Sequence, residues 1–111
     1  MTGSSWVTHA DRARWQQQAA RELAAILDEG AGLPLIAWTV AAAGGSLAGQ
    51  VTGAGARAVF AAWQQALAMD DVLETAVSGG TWLRARAWRG EVRVTVTATV
   101  PAAGAAAAVT S

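Results

Sequence analysis

Cysteine, lysine and tyrosine are all missing from this chain, and histidine occurs once, at His9. Without cysteine there can be no disulfide, no thiolate metal site and no cysteine nucleophile. The loss of lysine and tyrosine removes most of the remaining activated nucleophiles and proton carriers. His9 has no second histidine and no adjacent serine to work with, and it falls beside a helix cap, so it reads as a surface residue. A protein that is not an enzyme is expected, with no catalytic residue, no metal and no cofactor.

Net charge is absent too. The formal charge is zero, so no long-range field draws in nucleic acid or an acidic membrane, and any such binding needs a local patch. No run of about 18 apolar residues is present to span a bilayer. The opening MTGSSWVTHADRAR lacks the charged-then-apolar layout of a secretory leader. The expectation is a soluble, cytoplasmic protein without a membrane partner.

What the chain has in excess is alanine. Of 111 residues 29 are Ala, leaving 30 larger apolar side chains, six of them Trp, to build a core. This length holds one domain. All eight basic residues are Arg, which together with the alanine excess suggests a GC-rich coding bias more than a functional choice.

The periodicity predicts helix, hairpin, helix, hairpin. In THADRARWQQQAARELAAILDEG, Thr8 and Asp11 resemble a capping box, and Trp15, Ala19, Leu23, Ile26 and Leu27 recur at helical spacing, to be buried while Arg14, Arg21 and the Gln run stay exposed. LPLIAWTVAAAGGSLAGQVTG reads as a hairpin turning at Gly44 and Gly45. That turn sets Trp38 opposite Val51 and Val40 opposite Gly49. Ile36, Trp38, Val40, Leu47 and Val51 then share an apolar face. GARAVFAAWQQALAM is a second helix, with Ala56, Val59, Phe60, Trp63 and Leu67 on one side. DDVLETAVSGG fits either a loop or a short edge strand. TWLRARAWRGEVRVTVTATV alternates as a second hairpin, with Arg89 and Gly90 as its turn.

The fold class is therefore α+β in αββαββ order: a four-stranded antiparallel sheet of two hairpins, with both helices packed on one face. Residues 1–101 form the single domain, and AAGAAAAVTS at 102–111 is expected to be a disordered tail. The shared WQQ of RWQQQAARELA and AWQQALAMDD is too short to establish a duplication.

Two motifs suggest chemistry that their context argues against. Gly53, Gly55 and Ala58 satisfy G-x-G-x-x-A, with Glu74 about 20 residues on, but the preceding strand is a hairpin limb and the chain lacks parallel βαβ units. A weaker anion site remains, built from Gly53, Gly55, the free amides of the helix start and Arg57. Asp70, Asp71 and Glu74 form D-D-x-x-E, a spacing that on a helix gathers carboxylates for Mg²⁺. They fall where the helix ends, and acids there oppose the helix dipole, so a solvated stop is the plainer reading.

The second hairpin has the one surface that composition does not explain. Leu83, Ala85, Ala87, Val92, Val94 and Val96 face the helices, leaving Trp82, Arg84, Arg86, Trp88, Arg93, Thr95, Thr97 and Thr99 on the other side. The assumed turn sets Arg86 against Arg93, a like-charge pair that invites a counter-charge. Arg84, Arg86, Arg89 and Arg93 against Glu91 leave a surplus of three positive charges. Trp and Arg are the types most enriched at interface hot spots, so a protein contact, a homodimer included, is the leading expectation. Single-stranded nucleic acid stacked on Trp82 and Trp88 is the alternative. In a reading without function, both Trp fold over the sheet edge or under residues 72–80 or the Trp6 segment, with Arg stacked on them.

At LPLIAWTV, LAGQVTG, RAVFAAW and TWLRARA the chain resembles a group of short proteins from Streptomyces and related actinobacteria, some carried near mobile elements. The resemblance spans roughly residues 10–100, and its motifs are structural. It implies the two-hairpin fold and brings no activity, ligand or site residue with it.

Overall fold

Thr8 opens the first helix as a reciprocal cap: its hydroxyl accepts from the Asp11 amide at 3.0 Å, and Asp11 accepts from the Thr8 amide at 3.2 Å. In this computed structural model, which describes residues 8–42, 44–53 and 55–102, helix α1 runs from His9 to Glu29 and ends at Gly30. Burial falls on Ala19 and Ile26. Trp15 and Leu27, expected inside, are 40% and 44% exposed; Trp15 lies against Gly44 of the first hairpin turn.

Strands β1 (Ala37–Val40) and β2 (Ser46–Val51) form the first hairpin. Gly44 and Gly45 both take positive φ, +78° and +80°, as a glycine turn requires. The loop is longer than two residues, however, so Trp38 faces Gly49 and Val40 faces Leu47. The register differs by two from the expected one, which leaves every side chain on its expected face.

Helix α2 spans Ala56–Ala66 and buries Ala56, Phe60 and Trp63. Of the two expectations for DVLETAV, a loop or a short edge strand, the edge strand holds: it is β3, Asp71–Val77, seven residues long. It pairs antiparallel with β4, Gly80–Arg89, which pairs antiparallel with β5, Val92–Pro101. The expected four-stranded antiparallel sheet is thus a five-stranded mixed one, ordered β1-β2-β5-β4-β3, and the element order is αββαβββ. The mixing arises where β2 and β5 run parallel, Leu47 beside Val94 and Gly49 beside Val96. That places β5 at the centre of the sheet, between β2 and β4. The rest of the tail expected at 102–111, like Trp6, lies outside the described residues, apart from Ala102, whose amide donates to Gly79 at 2.8 Å.

Both helices pack on one face of this sheet. Ala19, Ile26, Phe60 and Trp63 meet Leu47, Val51, Leu83, Val94, Val96 and Ala98, all buried. Trp63 is 1% exposed; its indole N–H donates to the Pro34 carbonyl at 2.8 Å, and Trp38 meets it edge-on with ring centroids 5.6 Å apart. Burial of such a side chain contributes about 2–3 kcal/mol. The helix layer covers β1, β2, β5 and Leu83 and Ala85 of β4, and β3 lies beyond it with all seven residues exposed.

Candidate interaction face

Strand pairing decides which side chains share the face away from the helices. The β4–β5 turn lies at Gly90 and Glu91, not Arg89 and Gly90, since Arg89 pairs with Val92. The consequence is again a shift of two residues: Trp88 faces Arg93, Arg86 faces Thr95, Arg84 faces Thr97 and Trp82 faces Thr99. Trp82, Arg84, Arg86, Trp88, Arg93, Thr95 and Thr97 do share one face, as the alternation requires. The expected Arg86–Arg93 like-charge pair does not form.

Counter-charge comes from β3. Asp71 faces Arg86 across the strands, accepts from its Nε at 2.9 Å and lies 2.7 Å from its Nη2. Arg84 approaches the same carboxylate at 3.8 Å. The hydrogen bond from Arg86, supported by the charges of Arg86, Arg84 and Arg93, holds the Asp71 carboxyl below the ordinary carboxylate range. Arg84 Nε is buried and has no hydrogen-bond partner among the described residues.

The fourth arginine of the expected surplus leaves the face altogether. Arg89 turns toward α1, donating to Glu22 at 2.9 Å and, through both terminal nitrogens, to Glu29. These carboxylates, Glu29 first, raise the Arg89 pKa further and keep it charged. Of the arginines on the face, only Arg93 forms no salt bridge among the described residues. Its guanidinium carbon lies 5.1 Å from the centre of the Trp88 ring, a cation–π geometry.

The two tryptophans differ in exposure. Trp88 is 64% exposed, with the Arg93 guanidinium over its ring. Trp82 is half-buried and lines a cavity of about 160 Å³ with Gln50, Thr52, Thr97 and Thr99. That volume is below the ~300 Å³ at which small-molecule sites begin. Leu73 and Val77 of β3 extend the same face, 39% and 42% exposed. They are additions that follow only from the pairing of β3 with β4, which sets Leu73 beside Arg84 and Val77 beside Gly80.

The other candidates do not come together as ligand sites. Gly53 and Gly55 take φ values of +93° and +75°, shaping the turn into α2. Arg57, their expected partner for an anion, is held by Glu74 at 3.1 and 3.4 Å. Asp71 and Glu74 lie on opposite faces of β3, each beside an arginine, and among the described residues no group of three or more His, Asp or Glu is placed to hold a metal ion. His9 is exposed in the first turn of α1. No described helix is long and apolar enough to cross a membrane.

No protein-family model, no curated protein and no solved structure matches the chain, so the chemistry of this face is argued from its own residues.

Proposed function

We propose that the chain is a non-catalytic interaction module whose open sheet face contacts another protein, a second copy being the simplest partner. The observation that carries this reading is Trp88: 64% exposed, with the Arg93 guanidinium 5.1 Å from its ring centre. An aromatic anchor that is already ordered loses little freedom on binding, and Trp and Arg dominate interface hot spots. The arginine count weighs against the nucleic-acid alternative. Arg84 and Arg86 are tied to Asp71, and Arg89 is tied to α1, which leaves Arg93 to supply a phosphate contact.

Light scattering over a concentration series, comparing wild type with Trp88→Ala plus Arg93→Ala, tests the contact. Self-association through the face should fall at least about tenfold in the variant, the loss of one central hot spot, and change little between low and moderate salt. A steep salt dependence, with binding of short single-stranded DNA that Arg84→Ala plus Arg86→Ala abolishes, would replace the protein reading with nucleic acid.

A further inference from the structure

Strand β3 is a sheet edge with few of the devices that normally block one. Edges are usually kept short, bulged, or studded with Lys or Pro. β3 is seven residues long, its register with β4 is unbroken from Asp71–Arg86 to Val77–Gly80, and it contains no Pro or Lys. The opposite edge, β1, has four residues. Val72, Leu73 and Val77 are 45%, 39% and 42% exposed, and the helix layer does not reach them.

Its two charges are also neutralised within the chain. Asp71 is held by Arg86 and Glu74 by Arg57, so an approaching strand meets no uncompensated carboxylate. We infer that β3 pairs antiparallel with β3 of a second copy, joining two five-stranded sheets into one continuous sheet.

A two-fold axis normal to the sheet requires facing residues to share a face, and side-chain chemistry selects the register. An axis through Glu74 sets two carboxylates against each other; one through Leu73 sets Val72 against Glu74. With the axis at Thr75, Leu73 faces Val77 on both sides, Thr75 faces itself and Glu74 faces Ala76. Apolar groups then meet apolar groups and like charges stay apart. This contact uses the backbone and side chains of β3, not Trp88 or Arg93, so it neither depends on the proposed face contact nor blocks it. Strand pairing alone is a small contact beside the ~800 Å² per partner of a standard interface, so self-association is sought up to the high-micromolar range.

The absence of native cysteine makes the test direct. Thr75→Cys should form a disulfide-linked dimer under mild oxidation, while Thr97→Cys, at the centre of the open face, should not. In the unmodified chain, Leu73→Lys plus Val77→Lys should weaken self-association at least about tenfold by placing like charges opposite one another, and Arg12→Ala, exposed on α1, should leave it unchanged. Both lysines replace exposed side chains, and circular dichroism checks that the variant is folded. Crosslinking at Thr97→Cys but not Thr75→Cys would overturn the edge contact in favour of the face. A wild-type monomer throughout the high-micromolar range would overturn the edge contact, whereas a dimer broken only by Trp88→Ala would overturn it and leave the face reading standing.

Discussion

Gly49 lies beneath the Trp38 ring, and a β-carbon there would come within 3.1 Å of the indole and 2.9 Å of Ile36 Cδ1. Gly44 is more constrained: φ is +78°, and a β-carbon would meet the backbone of α1 at Gln16 N, 2.6 Å away. Side-chain tips can move and backbone cannot. Gly49→Ala should therefore cost about 1–2 kcal/mol, and Gly44→Ala roughly 3 kcal/mol, in urea denaturation. Equal costs would mean that the first hairpin does not rest on α1 as described. Asp71 sets a residue-scale pH dependence. Its folded pKa lies below the unfolded value because Arg86 donates to it, so its stabilisation is present above the unfolded carboxylate value of about 3.9 and is lost as pH falls through the folded one. Asp71→Asn should remove that acid-dependent part of a pH–stability profile. If nucleic acid were the partner, the same variant would strengthen its binding by releasing Arg84 and Arg86.

At the scale of elements, what was legible in the sequence was local. The Thr8–Asp11 cap, the two helices and the division of each strand into two faces depend on neighbours within a few residues or on a period of two. Both hairpin registers were off by two, an error that alternation cannot detect because it returns every side chain to the same face. The β2–β5 pairing joins residues 47 apart, Ser46 with Arg93 through Val51 with Ala98, and leaves no local trace. β3 was hard to read for a different reason: with no helix above it, Val72, Glu74 and Ala76 are as exposed as Leu73, Thr75 and Val77, so burial imposed no clean alternation. The candidate face was legible in its membership and not in its charge, since Asp71 reaches Arg86 only through the strand that was in doubt. Arg89 shows how elements are tied across the sheet, linking the end of β4 to Glu22 and Glu29 of α1. Arg89→Met should cost about 1 kcal/mol at low salt, with the difference shrinking as salt rises. A loss indifferent to salt would assign Arg89 a packing role instead.

Across the whole molecule, the helix layer is offset from the sheet, and stability should follow that offset. β5 lies between two paired neighbours, with Val92, Val94 and Val96 at most 1% exposed. β3 has one neighbour, no helix above it and no buried residue. Local opening costs least where few apolar contacts must be broken, so amide exchange in β3 should be fast in dilute protein and that in β5 slow, approaching the global unfolding rate. Concentration then separates the two contacts available to this chain. Edge pairing protects the outward-pointing β3 amides and leaves β5 unchanged; a face contact shields side chains around Trp88 without adding hydrogen bonds to β3. Hydrogen exchange from low to high micromolar concentration should therefore slow β3 selectively. If β3 were already as protected as β5 at a concentration where light scattering shows a monomer, part of the same chain would have to cover that edge, and the inferred pairing would have no surface on which to form.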